Sequence, residues 1–191
     1  YDRTLVYAVD NKATLSLGGS CQPLIEPEIV FQLKAPPPLG CTDPAEMLKC
    51  IAWYAPGFEI VCCHYPNWKC TPAEFAADSS LHWRLVVGSP IPPPGSLDGL
   101  ASELAHCSVD LRQDDTLMDS GQGSNALDHP ALALAFLANI LANQPEFDPL
   151  AAGEIITTGT LTNALPVKSG ETWQSTYTGL TGASGIILTF T

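Results

Sequence analysis

The chain has 191 residues, 46% of them hydrophobic and 15% charged, with 20 acidic side chains against 8 basic ones and a formal net charge of −12. That balance excludes a disordered chain and leaves room for one domain with a substantial core. Lys12, Lys34, Lys49, Lys69, Arg84 and Lys168 stand singly, so no basic cluster is present to release counterions, which argues against nucleic acid and anionic membranes as partners.

No uninterrupted apolar stretch approaches bilayer-spanning length, and no signal-peptide pattern opens the sequence. The seven cysteines are odd in number and show no C-x-x-C spacing, which argues against a disulfide framework and against zinc. Cys62-Cys63 lies in an apolar strand-like run, where free thiols commonly sit. A reducing, cytoplasmic compartment is the reading that follows.

Thr4 to Ala8 alternates as a strand does, and Gly18-Gly19 breaks the chain before a second strand, Leu24 to Phe31. Pro36 to Gly40 is a loop. Asp43-Pro44-Ala45-Glu46 has a capping acid and a first-turn proline, predicting a helix to about Trp53 that Ala55-Pro56-Gly57 ends. A strand through Phe58-Glu59-Ile60-Val61 follows. Thr71-Pro72-Ala73-Glu74 is a capping box opening a short helix. Leu85 to Gly88 reads as a strand, Pro90 to Gly99 as a stiff surface loop, and Val109 to Leu111 as further strand. Gly121 and Gly123 lead into the clearest helix, with Asp128 as its cap, Pro130 in its first turn, and Leu132, Phe136, Leu137, Ile140 and Leu141 along one face. Ile155 to Thr158, Trp173 to Thr178 and Ile186 to Phe190 are strands. The economical architecture is one α+β domain over residues 1–191, β-rich with a few helices.

Chemistry concentrates in two apolar runs. Glu26 and Glu28 alternate within Leu24-Ile25-Glu26-Pro27-Glu28-Ile29-Val30-Phe31, and Glu59 interrupts Phe58-Glu59-Ile60-Val61. Residues i and i+2 of a strand share a face, so two carboxylates would lie side by side and need a cation or a shared proton. A third carboxylate from a neighbouring strand would complete an all-oxygen site for a hard ion such as Mg2+. Pro27 equally suits an edge strand on which both glutamates face solvent.

In order, these pieces resemble the fumarylacetoacetate hydrolase superfamily, in particular its branch of 2-keto-4-pentenoate hydratases and 4-oxalocrotonate decarboxylases. The resemblance is carried by Ile25 to Phe31, by Phe58 to Val61, by Ala77-Asp78-Ser79, and by Asp128-His129-Pro130 through Asn139. It continues through Ala152-Gly153-Glu154 to Gly159-Thr160-Leu161-Thr162 and ends with Pro166-Val167-Lys168-Ser169-Gly170-Glu171. It implies a twisted, mixed β-roll with peripheral helices, and a Mg2+ or Mn2+ ion held by Glu26, Glu28 and Glu59. A 2-oxo acid chelating that ion would react through a stabilised enolate. Thr160 and Thr162 take the positions that hold a substrate carboxylate, or simply end a strand. Three further candidates for catalysis are His64, as an acid/base group beside Glu59, Lys69 and Asp78. For each, a packed, solvated or loop-holding role is the plainer alternative, and His129 belongs to a helix start.

The likeness implies a metal-dependent lyase, a hydratase or a decarboxylase acting on a small 2-oxo acid or related enolisable carbonyl compound, in a homo-oligomer or a hetero-oligomer with a homologue. An acylpyruvate-type C–C hydrolase and a pseudoenzyme partner subunit are the alternatives. Two departures bear on the choice. Family hydratases carry Asp-Ser-Arg where this chain has Cys62-Cys63-His64, which weakens the case for a dicarboxylate substrate. They also carry an N-terminal region ending in a lysine-bearing Gly-x-Lys-x-Gly-Leu-Thr-like strand, and this sequence starts past it: either the chain is a fragment or the lysine is lacking. The proline loop and the cysteine content point to specialised metabolism.

Overall fold

The organising feature is a pair of long antiparallel strands whose two faces do different work. In the computed structural model, which describes residues 3–191, the elements in chain order begin with β1 (Leu5–Tyr7), β2 (Lys12–Leu15), β3 (Leu24–Leu33), α1 (Pro44–Leu48), β4 (Ile51–Val61), α2 (Pro72–Ala77) and β5 (His82–Val87). They continue with α3 (Leu97–His106), β6 (Ser108–Gln113), β7 (Thr116–Gln122), α4 (Pro130–Ala142), β8 (Ile155–Thr157), β9 (Leu165–Pro166), β10 (Thr172–Thr178) and β11 (Ile187–Phe190). One sheet runs β1-β5-β4-β3-β8 with β9 also on β3, and the other runs β2-β11-β10-β6-β7. The pairings are antiparallel except β1–β5 and β2–β11, giving the β-rich α+β roll that the sequence predicts.

Two-residue alternation sorts the side chains. Ile25, Phe58, Ile60 and Val86 meet Leu111, Trp173, Leu188 and Phe190 of the second sheet in one core cluster. Ile29, Phe31 and Tyr54 join Leu100 and Leu104 of α3 and Leu134 of α4 in another. The opposite face of the first sheet carries Val30, Ala55, Leu85 and Val87, and Glu26, Glu28 and Glu59 share the alternation of that face.

Several sequence expectations are corrected. Helix α1 stops at Leu48, where Lys49 N–H donates to the Glu46 carbonyl and Cys50 N–H to the Met47 carbonyl. Ile51 to Val61 is one strand, so Ala55-Pro56-Gly57 lies inside β4. Pro56 is tolerated there because it sits opposite the end of β5, where its carbonyl accepts from Gly88 N–H. The Pro90 to Gly99 loop ends early: the Ser96 hydroxyl accepts from Gly99 N–H and starts α3, which buries Leu100 and Leu104. Strands β2 and β7 were not foreseen. β3 is not an edge strand, since it pairs with β4 on one side and with β8 and β9 on the other.

Helix α4 differs most. Its cap is His129, whose ring nitrogen accepts from Ala131 N–H, while Asp128 sits at φ 67. It packs through Ala131, Leu134, Ala135 and Ala138, leaving Phe136 58% and Ile140 38% exposed. Small residues let the helix approach the core closely, so Phe136 and Ile140 turn outward while Leu132 and Leu137 still pack against the core. Gly123–Ala142 is 20 residues at mean hydropathy 1.2, although Asp128, His129 and Asn139 interrupt its apolar run. In the fold that window is a 3-10 turn, a kink at Leu127 and Asp128, and the 13 residues of α4. At about 1.5 Å per residue the helix covers only about 20 Å of a ~30 Å hydrocarbon layer. All seven cysteines are free thiols.

Candidate metal centre

β3 and β4 pair with Glu26 opposite Glu59 and Glu28 opposite Gly57. The register therefore brings the three acids onto one face, where an oxygen from each lies within 4.8 Å of the others. Gly57 is required by packing: a Cβ there would lie 2.4 Å from Val30 Cγ2. Between β8 and β9 the chain arches over the middle of β3. Thr158 N–H donates to the Ile29 carbonyl and Leu161 N–H to the Pro27 carbonyl. Because the Pro27 carbonyl points to this arch, its missing N–H falls where the regular ladder is already open. Gly159, at φ 91, turns its N–H toward Glu28 and donates to Oε2 at 2.9 Å.

The electrostatics of the cluster are unfavourable as they stand. Glu28 is fully buried, and its second oxygen, Oε1, has no hydrogen-bond partner. Burial first, then the nearby Glu59 and Glu26, raises its pKa well above the ordinary carboxylate range, while the Gly159 N–H and the Thr157 hydroxyl pull the other way. Burial and then Glu59 push Glu26 up to about 7. Leaving a buried carboxylate oxygen unmatched costs free energy that a cation on it would recover. The donor set, all oxygen and all carboxylate, fits a hard divalent ion such as Mg2+ or Mn2+.

The histidine beside Glu59 is His82, not His64. A register shift between Ile60 and Val61 sets His82 at the start of β5 against Val61; such irregularities re-aim side chains. Its Nδ1 lies 2.5 Å from Glu59 Oε1 and its Nε2 lies 3.0 Å from Thr4 Oγ1. With both side chains about one-sixth exposed (16% and 17%), this contact fixes one oxygen of Glu59. His64 instead pairs with Asp78 at 2.7 Å, and Asp78 also accepts from His64 N–H, so the two clasp the turn after β4. Lys69 is exposed on the segment that follows. Thr160 and Thr162 lie in the arch after Gly159, with the Thr160 hydroxyl donating to the Thr162 carbonyl and the Thr162 hydroxyl to the Asn163 carbonyl. Sequence reasoning missed His82, Gly57 and Gly159. Glycines two residues before Glu59 and just past the β8 run were signals available in the sequence, whereas nothing in it located the strand irregularity that aims His82.

Residues 7–184 match the family model described as fumarylacetoacetate (FAA) hydrolase C-terminal. The chain belongs to this family. Within it, the 2-hydroxyhexa-2,4-dienoate hydratase of Comamonas testosteroni is 32% identical over 168 residues, 87% of this chain and 61% of that protein. The 4-oxalocrotonate decarboxylase of Pseudomonas sp. (strain CF600) is 29% identical, covering 93% of this chain and 65% of its own length. This chain thus spans somewhat less than two thirds of these curated family members. The structure of 4-oxalocrotonate decarboxylase from Pseudomonas putida G7, complexed with magnesium and adipate, superposes with a TM-score of 0.84 at 28% identity, over 100% of this chain and 67% of that one.

Proposed function

We propose that residues 1–191 form a single catalytic domain of a divalent-metal-dependent lyase, a hydratase or decarboxylase of the 2-keto-4-pentenoate type, acting on a small 2-oxo acid. The observation that carries the reading is the buried, unpartnered Oε1 of Glu28 within a three-carboxylate cluster. Glu26, Glu28 and Glu59 would hold Mg2+ or Mn2+. When bound, that ion supplies a Lewis acid for the carbonyl and carboxylate oxygens of a 2-oxo acid. The protein's own part is positional. Gly159 N–H orients Glu28, His82 orients Glu59, and Thr160 and Thr162 flank the place where a substrate carboxylate would sit. His64, Lys69 and Asp78 remain the candidates for proton handling. A hydratase known for a dienoate and a decarboxylase crystallised with magnesium, both related over nearly all of this chain, support the same reading.

The setting is part of the proposal: a cytoplasmic enzyme, consistent with seven free thiols, assembled as a homo-oligomer or with a homologue. Exposed Phe136, Ile140 and Phe147 give such an assembly an apolar surface.

Calorimetric titration of metal-stripped protein with Mg2+ and Mn2+, with and without oxalate, tests the metal site. Binding that oxalate strengthens and Glu28→Ala abolishes is the expected result. Intact protein that takes up neither ion sinks the metalloenzyme reading.

A further inference from the structure

The arch between β8 and β9 is anchored on two sides, by the first sheet and by the second. Toward β3 it is held by Thr158 N–H on the Ile29 carbonyl and by Leu161 N–H on the Pro27 carbonyl. Its other side rests on β7, the strand at the end of the second sheet. Gly121 of β7 permits that approach, since a Cβ there would lie 1.8 Å from the Leu161 carbonyl oxygen. Asn125, in the turn after β7, donates its side-chain amide to the same oxygen at 2.7 Å.

Asp119 of β7 makes a further tie. Its Oδ2 accepts from both the backbone N–H and the side-chain amide of Asn163, each at 2.9 Å, while Oδ1 accepts from Ser120 N–H. These bonds, Asn163 N–H foremost, hold the Asp119 carboxyl below the ordinary carboxylate range, so the acceptor is charged at neutral pH. Hydrogen bonds to an ionised acceptor are the stronger kind. The peptide between Thr162 and Asn163 is thereby gripped at both ends. Its N–H is on Asp119, and its carbonyl accepts from the Thr160 hydroxyl at 3.0 Å. A peptide unit is planar and stiff, so it passes the hold of Asp119 on to the group that the Thr160 hydroxyl points at. Without Asp119 the peptide is free to rotate, and the hydroxyl loses a fixed aim.

We propose that Asp119 is a positioning residue for the substrate end of the site, setting the direction of the Thr160 hydroxyl through the Thr162–Asn163 peptide. The inference rests on the reading of Thr160 as a group that meets a substrate carboxylate. It gives the second sheet, which carries none of the three clustered glutamates, a part in binding.

The test is calorimetric titration of oxalate into Mg2+-saturated protein, with Mg2+ affinity measured separately. Asp119→Ala should weaken oxalate roughly tenfold, the order expected for losing hydrogen bonds to a charged group, and leave Mg2+ affinity within about twofold. Asp119→Asn, whose amide oxygen can still accept from Asn163, should recover most of the loss. Thr160→Val should weaken oxalate at least as much as Asp119→Ala. The double variant should bind no worse than Thr160→Val alone, because the two residues act in series. Should Asp119→Ala fold poorly, Asn163→Asp sets a like charge against Asp119 and should give the same loss from the other partner. Unchanged oxalate affinity in either folded variant overturns the inference while the reading of the site stands. Losses that add in the double variant, or Mg2+ affinity that falls in step with oxalate, mark a general loosening of the arch and overturn it as well. If Thr160→Val binds oxalate as tightly as the unsubstituted protein, the carboxylate role of Thr160 fails and takes the inference with it. If the unsubstituted protein itself binds no Mg2+ or no oxalate, the proposed function fails first and the inference falls with it.

Discussion

The two faces of the β3–β4 pair obey the same backbone ladder but opposite rules of burial. On the inner face Ile25, Ile29, Phe31, Phe58 and Ile60 are wholly buried among apolar partners. On the outer face Glu28 is equally buried, yet one oxygen is unmatched and two like charges stand beside it. The inner face is satisfied by packing within the described residues. The outer face keeps an unmatched carboxylate oxygen that the proposed cation would match, and the free energy of packing the first holds the second in place.

Glu28→Gln should separate the faces most sharply. Mg2+ binding should fall below detection in calorimetry, while the metal-free variant keeps its unfolding midpoint or gains slightly, since a neutral amide replaces a carboxylate held above its normal pKa. A large loss of stability would mean that Glu28 is part of the scaffold and not of a site. Phe58→Ala, on the opposite face of the same strand pair, should cost about 3–5 kcal/mol in urea unfolding whether or not metal is present.

The pH dependence of the metal-free protein sharpens the contrast. Glu26 has its folded pKa raised from 4.5 to about 7, so between those values the native state holds a proton that the unfolded chain has released. Stability should therefore be greatest below pH 4.5 as far as this group is concerned, and fall by about 3 kcal/mol as pH rises through 7. Saturating Mg2+ should flatten that slope in thermal melts. A slope that Mg2+ does not alter would detach Glu26 from the ion.

Smaller effects follow from the supports. His82→Gln should weaken Mg2+ binding by roughly 10–100-fold, the usual penalty for losing the group that orients a ligand, with little change in the urea midpoint. Thr71→Ala, in the capping box of α2, should cost about 1 kcal/mol and leave the isotherm untouched.

The carboxylate face was legible because alternation is a local property: Glu26 and Glu28 on a strand must share a face, whatever surrounds them. Pairing them with Glu59 relied on the family resemblance, and the register explains it. His82 was not legible, since its aim depends on a one-residue irregularity between β4 and β5 that has no fixed sequence mark. Helix α4 was found but rotated in the reading, because alanine is ambiguous in an apolar pattern and close packing preferred Ala131, Ala135 and Ala138 to Phe136 and Ile140. Helix α3 was hidden by the prolines before it, although Ser96 was available as a cap.

Tyr177, on the second sheet, donates its hydroxyl to the Glu28 carbonyl across 2.7 Å of buried space. That bond ties the backbone of a site residue to the opposite layer of the molecule. Fraying of an edge cannot release Glu28, because its strand is central and bolted from behind. Amide protons at the centre of β3 should therefore exchange with solvent only when the whole domain opens, and an ion at the proposed site would come and go by side-chain motion while the backbone stays closed.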